Sequence, residues 1–218
     1  MVQKIVIIGS GGHAKVLIEI IKLLGQYNII GILDAQFATG TSIAGIPILG
    51  KDDLMSNLCA TGVKHACIAV GSIKDNSKRK FLYEKVKQIG FQVPVLAHPY
   101  SIISKDTIIS EGVQVTAGAI IQRGSTIGSN SIINTGAIIE HDCVIGKHVH
   151  VCPGVIISGD CVIGDGAFIG AGSVVIQGLK IGENSIVGAG AVVVSDVADS
   201  KVVMGVPAKE WMSRRVNG

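Results

Sequence analysis

The chain is poor in aromatic residues, in charge and in long apolar runs. Phe, Trp and Tyr make up 4% of its 218 residues and charged residues 16%, whereas hydrophobic residues make up 48%. With so few rings the apolar content must be aliphatic, and most of it is Ile and Val, whose branched side chains suit a pleated, packed surface. That apolar share also excludes an intrinsically disordered chain. Despite a mean hydropathy of +0.53, no stretch approaches 18 uninterrupted apolar residues, so a membrane-spanning helix is not expected. The first apolar run, Ile5 to Ile8, is too short for a secretory signal and reads as a strand. A net charge of +3, with no basic run longer than Lys78-Arg79-Lys80, does not imply a nucleic-acid partner. The five cysteines (59, 67, 143, 152, 161) follow neither disulfide nor zinc spacing, which fits a reducing cytoplasm and no metal.

What the chain has is a period. From Ile103 to Val193, sixteen consecutive sixth positions are all Ile or Val. The residue two before is usually small (Ala119, Ser125, Ser131, Ala137, Cys143, Cys161), and the residue after is often glycine, as at 128, 146 and 164. Six is three strand repeats of two, so the large aliphatic always faces inward, and the glycine is expected to permit the corner that follows. Three short strands close a triangular coil of eighteen residues, and sixteen hexads make just over five coils. At about 4.8 Å per coil the prism stands about 25 Å tall. Cys143 and Cys161, eighteen apart, are expected to stack inside adjacent coils as packing residues.

Residues 1–95 read differently, as a small Rossmann-like α/β unit; residues 96–218 form the prism and a tail. Lys4 to Ile8 is a buried strand, Gly9-Ser10-Gly11-Gly12-His13 a glycine turn, and Ala14 to Leu24 a helix closing at Gly25. Ile29 to Asp34 and Ala66 to Gly71 are further strands, and Asn76 to Gln88 is a helix closed by Gly90. Strand, helix, strand in this order argues a parallel sheet wound on both faces. The joint falls near Pro94 to Pro99.

The glycine turn puts backbone N–H groups at a helix N-terminus, where the dipole favours phosphate. Asp34 ends the second strand, where such folds set a carboxylate against a ribose or base. The space is small for a whole dinucleotide, so Gly11, Gly12, His13, Asp34 and Gly71 are expected to hold a nucleotide-linked sugar. In the repeat, the polar corner Glu140-His141-Asp142 stands out. His141 is expected to begin a flat face and point outward, and a histidine beside a carboxylate suits a general base. After the last coil come Gly205-Val206-Pro207-Ala208-Lys209 and a basic stretch with Arg214 and Arg215.

Together, Gly9-x-Gly11-Gly12-His13, Asn134-Thr135, Glu140-His141-Asp142-Cys143-Val144-Ile145-Gly146, His148-Val149-His150-x-x-Pro153-Gly154 and Gly205-Val206-Pro207-Ala208-Lys209 resemble the bacterial nucleotide-sugar N-acetyltransferases and sialic acid O-acetyltransferases. The resemblance spans nearly the whole chain and implies an α/β head followed by a left-handed parallel β-helix. It implies acetyl-CoA as co-substrate, a nucleotide-linked amino sugar as acceptor and a role in surface glycan or lipopolysaccharide synthesis. It further implies His141 as base, Asp142 as its orienting carboxylate and Asn134 as an acceptor contact. His150, Gly159, Ala171, Gly178, Pro207 and Lys209 then belong to the coenzyme groove, His150 reaching the acetyl-CoA of a neighbouring chain in a homotrimer whose active sites lie between subunits. Where uridine-sugar members commonly carry two aspartates after the second strand, this chain has Asp34-Ala35. Three alternatives compete with sugar N-acetylation. O-acetylation of a sugar would use the same base. A zinc hydratase would need three converging histidines, which His141, His148 and His150 at spacings of seven and two do not provide. A non-catalytic β-helix would not need the glycine-turn head.

Overall fold

Strand β1 (Gln3–Ile8) carries Ile5 and Ile7 on one face and Val6 and Ile8 on the other, all buried, so both faces of its sheet must be covered. The computed structural model, which describes residues 2–36, 40–72 and 75–211, shows how. Helix α1 (Gly12–Leu24) covers the Ile5 and Ile7 face with Leu17, Ile18 and Ile21, and stops at Gly25 in the left-handed conformation. On the other face, α2 (Met55–Ala60) and α3 (Ser77–Ile89) bring Met55, Leu82 and Val86 against Val6 and Ile8. The remaining strands are β2 (Tyr27–Leu33), β3 (Ser42–Ile43), β4 (Ile46–Gly50) and β5 (His65–Ile68), in the sheet order β3-β4-β2-β1-β5. All pairings are parallel except β3 with β4. Strand β5, expected to run to Gly71, ends at Ile68: Ala69 still donates to the Ile8 carbonyl at 2.7 Å, and Val70 to Ser72 leave the sheet to wall a cavity.

The repeat forms a triangular prism with three parallel faces. The first stacks Ile102–Ile103, Ile120–Ile121, Ile138–Ile139, Ile156–Ile157, Val174–Val175 and Val192–Val193. The second stacks Ile108–Ile109 through Lys180–Ile181. The third opens one strand before the counted repeat, at Leu96–Ala97, and runs to Val202–Met204. From Val115 to Val193 every sixth-position Ile or Val is buried, and the small residues two before them, Ala119, Ser125, Cys143 and Cys161 included, are wholly so. Each stacked cysteine is free and donates to a backbone carbonyl, Cys143 to Ser158 and Cys161 to Ile176, at 3.2 Å each.

The corners are built differently from the expectation. Positive φ occurs three residues after every inward aliphatic from Ile109 to Val187, at Gly136 (+65°), Asp142 (+58°) and His148 (+57°) among others. The glycine immediately after the aliphatic serves close approach instead: a Cβ on Gly128 would meet the Gly146 carbonyl carbon of the next coil at 2.5 Å.

Outward positions on the first face read Ile102, Ile120, Ile138, Ile156, Val174 and Val192, an apolar ladder with Ile102 62% exposed. On the third face the head covers Gln114, Ile132 and His150, which are buried.

Candidate active site

The turn after β1 is held by Asp34. Its Oδ2 accepts from the Ser10 backbone N–H at 2.8 Å and from the Ser10 hydroxyl at 2.6 Å, while Oδ1 accepts from the Gln36 N–H at 2.8 Å. Burial opposes its charge, yet those hydrogen bonds outweigh it and hold the carboxyl below its ordinary range. So fixed, the turn leaves α1 without a side-chain cap, and a Cβ at Gly11 or Gly12 would meet no protein atom within 4 Å. The helix N-terminus thus faces open space, the geometry of an anion site.

That space is a cavity of about 510 Å³ between head and prism. Gly11, Gly12, His13, Asp34 and Gly71 line it from the head, Asn134 and His150 from the prism. His150, expected at a coenzyme groove, lies inside its own chain's cavity, 6% exposed and bonded to Ser72 and Asn134. Residues not anticipated also belong here: Ser10, Ser72 and Lys78 line the cavity, and Gln114 supports it. Gln114 had a sequence signal, because it interrupts a rung position that holds Ile132, Phe168 and Ile186 in other coils.

Buried polar groups knit this junction. The Ile68 carbonyl can only accept, so the Gln114 amide nitrogen faces it at 2.8 Å and the Gln114 oxygen faces His13 Nε2 at 2.8 Å. His13 Nε2 must therefore carry the proton. Burial, then the nearby Arg79 charge, push the His13 pKa down to about 4 against the hydrogen bond it donates to Gln114, so the ring is neutral. Arg79 is itself buried, donating to the carbonyls of Ile68 (2.7 Å), Val70 (3.2 Å) and, across the junction, Asn130 (3.1 Å).

His141 has the opposite environment. It sits within the corner turn rather than at the start of a flat face, its side chain 51% exposed. Its Nδ1 lies 2.9 Å from Asp142 Oδ2, and this hydrogen bond, followed by the charges of Asp142, Asp160 and Glu140 against slight desolvation, raises its pKa. Asp160 stacks one coil beyond Asp142, and ligand atoms of His141, Asp142 and Asp160 lie within 4.8 Å of one another. The Asp142 contact occupies Nδ1, so Nε2 is the ring nitrogen left for other chemistry. Gly159 lies under the ring, where a Cβ would come within 2.6 Å of it. His141 does not line the cavity.

The three histidines weighed for zinc do not converge. His141 is at an exposed corner, His148 accompanies Asn130 and Tyr83, and His150 is in the cavity. Among the expected coenzyme residues, Gly178 donates to the Gly159 carbonyl at 2.9 Å on the next coil of the His141 corner, and Ala171 is exposed at the opposite edge of the first face. Pro207 follows a cis peptide in the closing turn, and Lys209 lines a cavity of about 420 Å³ at the prism end that includes neither Gly159, Ala171 nor Gly178. Arg214 and Arg215 lie outside the described residues.

Comparison with known proteins supplies the context. Residues 4–86 match the PglD N-terminal domain family, and residues 124–159 and 160–195 match the bacterial transferase hexapeptide family. UDP-N-acetylbacillosamine N-acetyltransferase of Bacillus subtilis (strain 168) is 36% identical over 118 residues, so the match spans 53% of this chain and about half (52%) of that curated relative. The H141N variant of perosamine N-acetyltransferase from Caulobacter crescentus, solved with CoA and GDP-perosamine, superposes with a TM-score of 0.92 at 38% identity, covering 98% of this chain and 99% of that one. The acetyltransferase domain of PglB from Neisseria gonorrhoeae FA1090, solved with acetyl coenzyme A, superposes with a TM-score of 0.89 at 36% identity over 97% and 100%. The shared head, the left-handed hexapeptide prism and the identity across nearly the full length place the chain in the bacterial acetyl-CoA-dependent nucleotide-sugar N-acetyltransferase family.

Proposed function

We propose that this chain transfers the acetyl group of acetyl-CoA to the amine of a nucleotide-linked sugar, in the cytoplasm, for the synthesis of a surface glycan. One observation carries most of the weight: a single cavity joins the glycine turn at the α1 N-terminus to polar residues of the prism, as a ligand with a diphosphate at one end and a sugar at the other requires. CoA with GDP-perosamine in the Caulobacter relative, and acetyl coenzyme A in the Neisseria relative, support the choice of substrates.

His141 is the general base. Its Nε2 takes a proton from the attacking amine as nitrogen adds to the thioester carbonyl, the tetrahedral intermediate collapses, and CoA leaves as the thiol. Asp142 holds Nδ1 and stabilises the imidazolium. No acyl-enzyme is needed, since Cys143 is buried inside the prism.

The working unit is a homotrimer with its sites between chains. His141 lies off its own cavity, and the apolar ladder of the first face runs between the His141 corner and the Asn134 corner. Packing that face against a second copy buries the ladder and brings His141 of one chain toward the cavity of the next, with the coenzyme between prisms. Gly159, Ala171 and Gly178 border that face, and Gly205 and Ala208, on either side of Pro207, bond to Val192 at its far end, whereas Lys209 joins the third face.

Thiol release from acetyl-CoA, followed with uridine-, guanosine-, thymidine- and cytidine-linked amino sugars, tests the assignment. One of them is expected to turn over; failure of all, with no binding of acetyl-CoA in calorimetry, overturns it. Sedimentation is expected to give three times 22.5 kDa, and a fully active monomer contradicts the shared site.

A further inference from the structure

The prism side of the cavity carries a hydrogen-bond chain whose direction is forced at every link. The Thr135 backbone N–H can only donate, and it lies 2.8 Å from Asn134 Oδ1. That fixes the amide: its nitrogen must face His150, where Asn134 Nδ2 is 3.2 Å from Nε2. A ring nitrogen that accepts carries no proton, and His150 is 6% exposed inside an apolar and partly cationic junction that keeps it neutral. Its one proton is therefore on Nδ1, donated to Ser72 Oγ at 2.8 Å. A hydroxyl that accepts there has its own hydrogen left to give. Ser72 lines the cavity, and among the described residues its hydroxyl has no second partner.

We propose that Ser72 is a ligand-binding residue of this cavity, donating its hydroxyl hydrogen to an oxygen of the bound nucleotide sugar, and that His150 is the positioning residue that aims it. The inference rests on the nucleotide-sugar reading above and deepens it. His13, packed beside Gly71, has complementary polarity: the chain from Ile68 through Gln114 leaves it with a proton on Nε2 and a lone pair on Nδ1. The cavity thus offers an acceptor from the head at His13 and a donor at Ser72, neither of which changes sense with proton uptake near neutrality. A contact made to substrate before and during transfer acts on binding, so Ser72 bears on acceptor KM rather than on kcat. The chemistry is that of an acceptor oxygen, which either the diphosphate or the sugar ring can present.

The test uses the full-length protein and two titrations: the amino-sugar nucleotide that the wild type acetylates, and its nucleoside diphosphate alone. Ser72→Ala is expected to weaken the amino-sugar nucleotide by about 5- to 10-fold and to raise its KM, with kcat and acetyl-CoA binding unchanged and Ser72→Thr restoring the affinity. An equal loss for the diphosphate assigns the contact to phosphate; a loss only for the sugar-bearing ligand assigns it to a sugar oxygen. No loss for either ligand overturns the proposal. Nitrogen-15 NMR of the imidazoles reads the relay without any ligand. His150 is expected as the neutral Nδ1–H form and His13 as the neutral Nε2–H form, and His150 found protonated on Nε2 also overturns it. If the wild type binds none of the nucleotides while His150 has the expected tautomer, the substrate assignment fails and the relay stands.

Discussion

The junction cavity and the prism corner both hold histidines, and they treat them in opposite ways. His13, half-buried, and His150, buried, are locked by amide partners and depressed, to about 4 and about 3, so that they hold one tautomer. His141 is exposed, paired with Asp142 and raised. A residue that recognises substrate must not change its hydrogen-bonding sense, whereas a residue that moves protons must be accessible and basic. The same side chain can be suited to either purpose, because burial sets which form is stable.

Removing the frame under both has the largest expected effect. Ile145→Asp places an unpaired charge within the ladder, where Ile145 is 2% exposed, and is expected to abolish folding. Soluble protein with a cooperative melt would show that the prism tolerates charge inside. His141→Asn comes next: folding and assembly persist, and kcat falls by about 10²–10⁴. Because the His141 pKa is raised and the base must be unprotonated, the rising limb of kcat/KM is expected above pH 6.5. Asp142→Asn moves that limb down and costs less in rate. A limb unchanged in His141→Asn assigns the base elsewhere.

Gly159→Ala probes the seat of the ring, at the border of the proposed coenzyme groove. Gly159 is not among the positive-φ residues, so alanine strains no backbone there, but its Cβ displaces the His141 ring. A kcat loss of up to about 10² with unchanged melting is expected; unchanged kcat shows that ring placement is loose. Asp34→Asn, the smallest, loosens the Ser10 turn. Acceptor KM is expected to rise about 5- to 10-fold with acetyl-CoA binding intact, and an equal loss of coenzyme affinity would break the division between cavity and groove. Asp34 also contributes to stability with a definite sign. Its folded pKa is lowered, so the contribution is present above its unfolded value near 3.8 and lost as pH falls through the folded value. Asp34→Asn should flatten that part of the acid melting profile.

Most of the architecture was legible because it is periodic. A six-residue period leaves little choice of inward position, and Ile121, Ile139 and Ile157 stack where counting put them. The head was legible only in part. Its first strand and two long helices carry glycine caps and apolar spacing, but β3, β4 and α2, of two to six residues, are too short to show a period. Corner chemistry was misassigned for a related reason: a glycine in sequence does not reveal whether it serves a positive φ or a close approach.

The candidate site divides along the same line. Local patterning singled out the glycine turn, Asp34 and the polar corner Glu140-His141-Asp142, and the family resemblance added Asn134. Only the tertiary structure brought Gln114, 101 residues from His13, against its ring, and Ser72, 78 residues from His150, against the other. It also showed that His141 stands outside the cavity its own chain forms. Periodicity is a property of neighbours in the chain, whereas burial, tautomer and the meeting of two surfaces depend on which distant groups exclude water from one another.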